Sequence, residues 1–328
     1  MTRTPAVSIL AAALVSTMII CASVQRGAAS EAGPKALTAL PCGDPYGFEV
    51  LLDQQSFSPG EIDGKLGTNL SHALAAVQTA RGLQVTGEPD CDTWRALGGE
   101  TSGATTVTYV IEDADVKGPF TKVIPRDLEK QASLPRLAYR SVLERLGERF
   151  HVSPALLQQM NPHVTFTEGT ELQVPAVTPF DVDAKPPAEP IEPAVTIQVT
   201  RDDSALRVSR PDGTLVFCAP VTTGSEHDPL PIGDWKVTSV YWHPVFHYNP
   251  KLFWDANPRQ PRAEIKRGPN NPVGIVWIDI NREHYGLHGS PEPSRIGHTE
   301  SHGCVRMTNW DAARVASYVK PGTPVLFR

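Results

Sequence analysis

Near its C-terminus the chain reads Ser301-His302-Gly303-Cys304-Val305-Arg306, and His288-Gly289 stands sixteen residues before the cysteine. A thiol becomes a useful nucleophile only when a neighbouring group removes its proton, and an imidazole can do so by forming a thiolate–imidazolium pair. Glycine beside the cysteine lets a substrate approach the backbone without an intervening side chain. The block therefore predicts acyl transfer by a cysteine nucleophile.

This block resembles the signature of the L,D-transpeptidase family, in which a histidine-glycine pair precedes S-H-G-C-x-R and a short helix follows. Members of this family cross-link bacterial peptidoglycan through a cysteine acyl-enzyme. The resemblance implies that Cys304 attacks the carbonyl of the third residue of a tetrapeptide stem and releases the terminal D-alanine. An amine from a second stem, or from a wall-anchored lipoprotein, would then resolve the thioester. No cofactor is implied.

Two alternatives remain open from the sequence. Water could resolve the same thioester, and the protein would then be an L,D-carboxypeptidase. The chain could instead be a catalytically inert wall-anchoring protein, although the intact Cys304, His288 and Arg306 argue against that interpretation. The sequence does not distinguish an amine from water as the acceptor.

The resemblance also implies roles for the residues around the cysteine. His288 is expected to be the general base, and the backbone carbonyl of Gly289 is expected to orient its ring. His302 is expected to lie in the cleft and to shape the oxyanion site, and the alternative is that it is itself the base, because it is only two residues from Cys304. The backbone N–H groups of Gly303 and Cys304 are the expected oxyanion donors.

Arg306 and Ser301 each have two interpretations. The guanidinium of Arg306 stays charged and its fork suits a carboxylate, so we expect it to bind the carboxylate of the stem, with a structural salt bridge as the alternative. Ser301 either forms a hydrogen bond in the cleft or supports the turn.

Two further groups of side chains lie near this block. Possible zinc ligands are His284, His288, His298, His302 and Cys304. Their spacing lacks the i, i+4 histidine pair and the C-x-x-C pair that make a zinc site a strong prediction, so we expect no metal. An aromatic and histidine cluster comprises Trp242, His243, Phe246, His247 and Tyr248. It forms either a wall or lid over the cysteine or part of a core.

The pattern from residue 194 to residue 328 predicts a mostly-β domain. Strands are expected at residues 195–199, 205–209, 214–220, 235–241, 274–280 and 324–327. One helix is expected at residues 310–319, with Thr308 and Asp311 at capping-box spacing, so Asp311 is interpreted as a helix cap rather than a third catalytic group. The domain resembles the β-sandwich-like catalytic domain of the L,D-transpeptidases along its whole length.

Residues 42–98 predict a small helical module, and its motif is similar to the peptidoglycan-binding domain found beside many wall enzymes. The matching residues are Ile62, Asp63, Gly64, Gly67, Val77, Gln78, Gly82, Leu83, Val85, Thr86, Gly87, Asp92, Thr93 and Trp94. Cys42 and Cys91 lie at opposite ends of this module, so we pair them in a disulfide, whereas Cys218 is expected to be a buried apolar residue. The alternative is a helical spacer that binds nothing.

Residues 104–178 resemble an α+β LysM domain, a strand–helix–helix–strand unit that binds glycan strands. The stretch between Glu112 and Tyr139 is much longer than the first connection of that family, so a degenerate domain used as a rigid arm is the alternative. Residues 179–193 are rich in proline and predict a semi-rigid linker that separates the wall-binding modules from the chemistry.

The first 29 residues predict an export signal, because a positive start is followed by an apolar run and small residues. An uncleaved membrane anchor is the alternative, and a lipoprotein anchor through Cys21 is a weaker one. The expected location is therefore the periplasm or cell envelope. The net charge of −6 argues against a nucleic-acid-binding protein, which would need a basic face.

Overall fold

The structure is a computed structural model that describes Met1 and residues 40–101, 103–184, 187, 189–191 and 194–328. The chain divides into Met1–Ala39 and Leu40–Arg328, and every described helix and strand belongs to the second unit. The predicted export segment lies outside the described residues apart from Met1, as does part of the predicted linker. No helix among the described residues has both the length and the apolar character needed to cross a membrane.

The first module is helical, as predicted. It contains α1 (Pro45–Gln54), α2 (Thr68–Arg81) and α3 (Cys91–Ala96). Gly82 ends α2 in the left-handed conformation that glycine adopts readily, with φ of 66°. The helices share a core that includes Phe48, Leu52 and Leu74, and a disulfide joins Cys42 to Cys91.

The second module is built around two paired strands. It contains β1 (Thr106–Val110), α4 (Asp113–Val116), α5 (Leu128–Ala132), α6 (Val142–Arg149), α7 (Pro154–Met160) and β2 (Glu171–Pro175). The strands pair antiparallel, and α6 and α7 pack with them around Leu146, Leu157 and Leu172. Four helices lie between the strands, rather than the two expected for a strand–helix–helix–strand unit. Residues 117–140, called the insertion below, carry α5 and separate α4 from α6.

The third module is mostly β, as predicted. Its strands are β3 (Thr196–Thr200), β4 (Ala205–Ser209), β5 (Leu215–Pro220), β6 (Gly233–Trp242), β7 (Phe246–Tyr248), β8 (Ala263–Ile265), β9 (Val276–Ile280), β10 (Gly286–His288), β11 (Val305–Arg306) and β12 (Pro324–Phe327), and its helix is α8 (Asn309–Tyr318). Eight strands form one curled sheet in the order β11-β10-β9-β6-β12-β3-β4-β5, while β7 and β8 form a separate antiparallel pair. The sandwich-like arrangement is thus one sheet, whose strands share a single core with α8.

The start of α8 differs in one respect from the predicted capping box. Thr308 is the N-cap, and its hydroxyl accepts a hydrogen bond from the Asp311 N–H. The buried carboxylate of Asp311 instead accepts from the hydroxyl of Ser58, in the first module, at 3.0 Å. Asp311 therefore joins two modules.

The expectation that the linker separates the modules is wrong. Backbone hydrogen bonds join Ser58 to Cys218 at 2.9 Å and Cys218 to Ser56 at 3.0 Å, so the first module extends the edge of the sheet at β5. Cys218 is buried, as expected, within the first module's core. The linker's Phe180 packs against the core of the third module. The modules therefore pack against one another.

Candidate active site

The site lies at the edge of the sheet where β10 and β11 run parallel. Leu287 is opposite Val305, and both are fully buried in the core. Side chains alternate along a strand, so the neighbouring positions point to the other face. His288 and Arg306, which are also opposite each other, therefore share that second face with Cys304, the residue immediately before β11. All three of these residues line one cleft.

The ring of His288 is held in a defined orientation. Its Nδ1 lies 2.7 Å from the carbonyl oxygen of Gly289, and because a carbonyl can only accept, Nδ1 carries the proton and Nε2 is left as an acceptor. Trp277 stacks on the ring at 5.4 Å between centroids. Burial, aided by the nearby charge of Arg306, lowers the pKa of His288 to about 3. The imidazole is therefore neutral at pH 7.

Cys304 is a free, partly exposed thiol. Its Sγ lies 3.6 Å from the carbonyl oxygen of His284. Burial raises the pKa of Cys304 above its ordinary value, while the N–H of Gly286 and the charge of Arg306 lower it by less. These directions favour a thiol beside a neutral imidazole in the free protein, rather than the expected thiolate–imidazolium pair.

Arg306 presents an unpaired charge to the cleft. Its backbone is fixed on both sides by Thr222, through hydrogen bonds of 2.9 and 3.0 Å. Its buried Nε has no hydrogen-bond partner, and its guanidinium forms no ion pair with any described residue. Burial lowers the pKa of Arg306. A buried guanidinium of this kind is suited to a carboxylate that arrives with the substrate.

The loop before β11 is shaped by Ser301. Its hydroxyl donates to the carbonyl oxygen of Cys304 at 2.6 Å and accepts from the N–H of Gly303 at 3.2 Å. Ser301 therefore supports the turn, and the Gly303 N–H is engaged there. Gly303 has φ of +97°, and a Cβ at this position would lie 2.5 Å from the ring of Tyr285. Only glycine fits this close contact.

His302 lies in the same cleft but has different partners. Its Nε2 is 2.8 Å from Oδ1 of Asp255, and its ring packs edge-on against Phe253 at 5.0 Å. Its Nδ1 is buried and has no hydrogen-bond partner among the described residues. His302 therefore bridges the cysteine loop and the segment after β7.

The cleft has a volume of about 1720 Å³, and all five members of the aromatic and histidine cluster line it. Tyr248 is at the same time buried in a small core with Ile265, so the cluster is both cleft wall and core. Across the described ranges, no group of three or more histidine, cysteine, aspartate or glutamate side chains could hold a metal ion.

Sequence reasoning missed several residues that shape the site: Gly286, Trp277, Tyr285, Asp255 and Asn309. Gly286 is the one with a readable signal. It precedes Leu287-His288, and a Cβ there would lie 2.6 Å from the Trp277 ring. A glycine within a strand often marks such a close approach.

Comparison with known proteins identifies two segments. Residues 194–326 match the YkuD family, described as "L,D-transpeptidase catalytic domain", and residues 49–97 match a family described as "Putative peptidoglycan binding domain". The chain is 44% identical over 70 residues to a Bacillus licheniformis protein named "Putative L,D-transpeptidase YkuD". This match covers 20% of this chain and 42% of the relative. A Bacillus subtilis protein of the same name is 43% identical over 60 residues, covering 18% and 37%.

These matches span less than half the length of either relative. Among solved structures, an L,D-transpeptidase from Mycobacterium smegmatis is 19% identical, covers 41% of this chain and 58% of its own, and has a TM-score of 0.34. The assignment rests on the sequence matches, which fall on the segments that carry the cysteine site and the helical module. Residues 194–326 therefore form a catalytic domain of the L,D-transpeptidase family.

Proposed function

We propose that this protein is an exported L,D-transpeptidase that acts on peptidoglycan stem peptides through a thioester on Cys304. The observation that carries this proposal is the shared face of β10 and β11, because it groups a free thiol, a neutral oriented imidazole and an unpaired guanidinium in one cleft. Cysteine acyl transfer needs a nucleophile and a group that moves its proton, and the guanidinium adds a site for a substrate carboxylate.

In the first half-reaction, the sulfur of Cys304 attacks the carbonyl carbon of the third stem residue as Nε2 of His288 takes the thiol proton. The S–C bond forms, and negative charge develops on the carbonyl oxygen. The peptide C–N bond then breaks, and the imidazolium returns the proton to the leaving D-alanine amine. The product is a thioester and a neutral imidazole.

In the second half-reaction, an acceptor amine attacks the thioester and gives up a proton to His288. The new amide forms, and the sulfur leaves and regains a proton from the imidazolium. The resting imidazole has its Nε2 free to accept a proton at each attack, because Nδ1 is bonded to the Gly289 carbonyl.

The oxyanion is expected to bind to the N–H of Cys304. The Gly303 N–H is the second donor, and it must leave its 3.2 Å bond to Ser301 as the intermediate forms. Arg306 binds the carboxylate of the donor stem, and His302, held by Asp255, closes the side of the site.

The first and second modules are proposed to bring the active site to the bacterial cell wall. The first module binds peptidoglycan, which its family match supports, and the second binds glycan strands. The acceptor amine belongs to a second stem, giving 3–3 cross-links, or to a wall-anchored lipoprotein. Action on such substrates requires export through the N-terminal segment.

Intact-mass spectrometry with a synthetic tetrapeptide tests the reaction. The wild type should gain the mass of the stem less D-alanine, and Cys304→Ala should gain none. An acceptor amine should release the adduct as a longer peptide. If release occurs only to water, the protein is a carboxypeptidase, and if no adduct forms on folded wild type, the proposed enzyme is excluded.

A further inference from the structure

The insertion in the second module is attached to the catalytic domain rather than to its own module's core. Leu137 is fully buried against Tyr248 and Ile265 of the β7–β8 pair, and Leu128 and Leu134 pack around them. This cluster is separate from the core that holds β1, β2, α6 and α7. The insertion thus belongs structurally to the β7–β8 pair.

Backbone contacts fix this attachment. The N–H of Leu137 donates to the carbonyl of Arg267 at 3.1 Å, and the N–H of Asn270 donates to the carbonyl of Leu137 at 2.9 Å. Gly268 lies so close that a Cβ there would be 2.2 Å from the Leu137 oxygen. The insertion therefore has a defined position beside the cleft.

One side of the insertion forms a wall of the catalytic cleft. Its lining residues are Ile124, Pro125, Arg126, Asp127, Leu128, Gln131 and Arg140. The cleft measures about 1720 Å³, whereas a pocket for one drug-sized ligand is typically about 300–1,000 Å³. The cleft therefore has room for a second peptide beside the one bound to Cys304.

The polar side chains of this wall differ in whether they have a hydrogen-bond or ion-pair partner. Asp127 caps α5 by accepting from the N–H groups of Glu129 and Lys130, and Arg140 is bonded to Glu144 and Asn270. Arg126 has no hydrogen bond or ion pair with any residue that the structure describes. It is the wall's unpaired cation.

Arg126 and Arg306 reach the cleft from different elements. Arg306 lies on β11, two residues after the nucleophile, so it suits the donor peptide that is attacked there. Arg126 lies on the insertion, which packs on the separate β7–β8 pair. A guanidinium fork recognises a carboxylate, and every free peptide chain ends in one.

We propose that the insertion is the acceptor wall of the cleft and that Arg126 binds the C-terminal carboxylate of the peptide that supplies the attacking amine. This inference rests on the proposed function. It makes the second module part of the active site, with a role in selecting the acceptor, in addition to any contact with the bacterial cell wall.

The test uses the full chain, a tetrapeptide donor, and an acceptor peptide with a free amine and either a C-terminal carboxylate or a C-terminal amide. Arg126→Ala should raise the KM for the carboxylate acceptor about tenfold, which corresponds to about 1.4 kcal/mol. It should leave the KM for the amide acceptor and the rate of thioester formation unchanged. Lys122→Ala is the matched control, because Lys122 is an exposed cation of the same insertion that does not line the cleft.

The outcomes separate this inference from the proposed function. If the wild type forms no thioester, the proposed function fails and this inference fails with it. If the wild type transfers to the amine but Arg126→Ala behaves like Lys122→Ala, only the acceptor wall is overturned. Slower thioester formation in Arg126→Ala would place Arg126 on the donor side and would also overturn it.

Discussion

Glu148 of α6 accepts a hydrogen bond from the side-chain amide of Asn309, with 2.8 Å between Oε1 and Nδ2. The other end of Asn309 accepts from the N–H of Ile275 at 3.1 Å. A Cβ on Gly289 would lie 2.3 Å from this amide oxygen, so Gly289 packs directly on Asn309. Because the Gly289 carbonyl orients His288, a carboxyl group of the second module supports the ring of the catalytic domain.

Glu148→Ala should therefore lower both stability and catalysis. The Asn309 amide loses one acceptor in a buried site, which costs about 1–3 kcal/mol. Looser support of Gly289 should slow thioester formation several-fold at saturating donor. Burial raises the pKa of Glu148 to about 8, so it is mostly protonated at pH 7, and Glu148→Gln should restore most of both properties. Urea denaturation and single-turnover mass spectrometry measure the two effects.

Ser58→Ala is the control for this prediction. It removes the hydrogen bond to Asp311, which joins two modules without involving Asn309 or Gly289. Stability should fall while the rate per folded molecule stays unchanged. If Glu148→Ala also leaves that rate unchanged, Glu148 has a structural role only.

Gly303→Ala should inactivate the site, whereas Gly322→Ala should not. The two glycines have nearly the same φ, +97° and +95°, so both alanines carry a backbone strain of about 1–3 kcal/mol. Only at Gly303 would the new Cβ meet a neighbour, 2.5 Å from the Tyr285 ring, while the space around Gly322 is open. The loop carrying Cys304 must move, and thioester formation should fall at least about a hundredfold. Equal rates in the two variants would contradict this account of the loop.

The reactivity of Cys304 should keep rising with pH. Burial raises its pKa above the ordinary value of a thiol, so the neutral thiol predominates at pH 7 and thiolate appears only at alkaline pH. The rate of alkylation by iodoacetamide, followed by peptide mapping of Cys304, should therefore increase through pH 9. Arg306→Gln should shift this profile to higher pH, because the guanidinium lowers the thiol pKa. A plateau already present below pH 7 would instead indicate a resting thiolate–imidazolium pair.

The sequence predicted the elements whose signals are local. The alternation of apolar residues gave β4 and β12 with their observed bounds, and α8 was displaced by one residue at each end. The S-H-G-C-x-R block likewise marked the cysteine site, because Ser301, whose hydroxyl holds the turn, is only three residues before Cys304.

Long-range contacts were not predictable in this way. Nothing in the sequence around Glu148 indicates its hydrogen bond to Asn309, 161 positions away. The same holds for the insertion, which looked like an overlong connection because its apolar residues pack on β7 and β8, far along the chain. The contacts between modules join residues that are far apart in sequence and meet only in the folded chain.

Glu49→Gln should stabilise the protein increasingly as pH rises from about 5 to 8. Glu49 is 3% exposed and accepts from the Gly64 N–H at 2.8 Å, and burial raises its pKa from 4.5 to about 8. Between these values the folded state keeps a proton that the unfolded state has released. The free energy of unfolding therefore falls with rising pH, by at most about 1.4 kcal/mol per pH unit for this one group.

Glutamine does not titrate but keeps an acceptor for the Gly64 N–H, so this fall is absent in Glu49→Gln. The difference in unfolding free energy between variant and wild type should be small near pH 4, grow through the neutral range and level off above pH 8. Urea denaturation across this range measures it. Glu88→Gln, at an exposed position of the same module, removes the same charge and should give a difference that hardly varies with pH. Parallel behaviour of the two variants would mean that the Glu49 carboxyl is ionised in the folded protein at neutral pH.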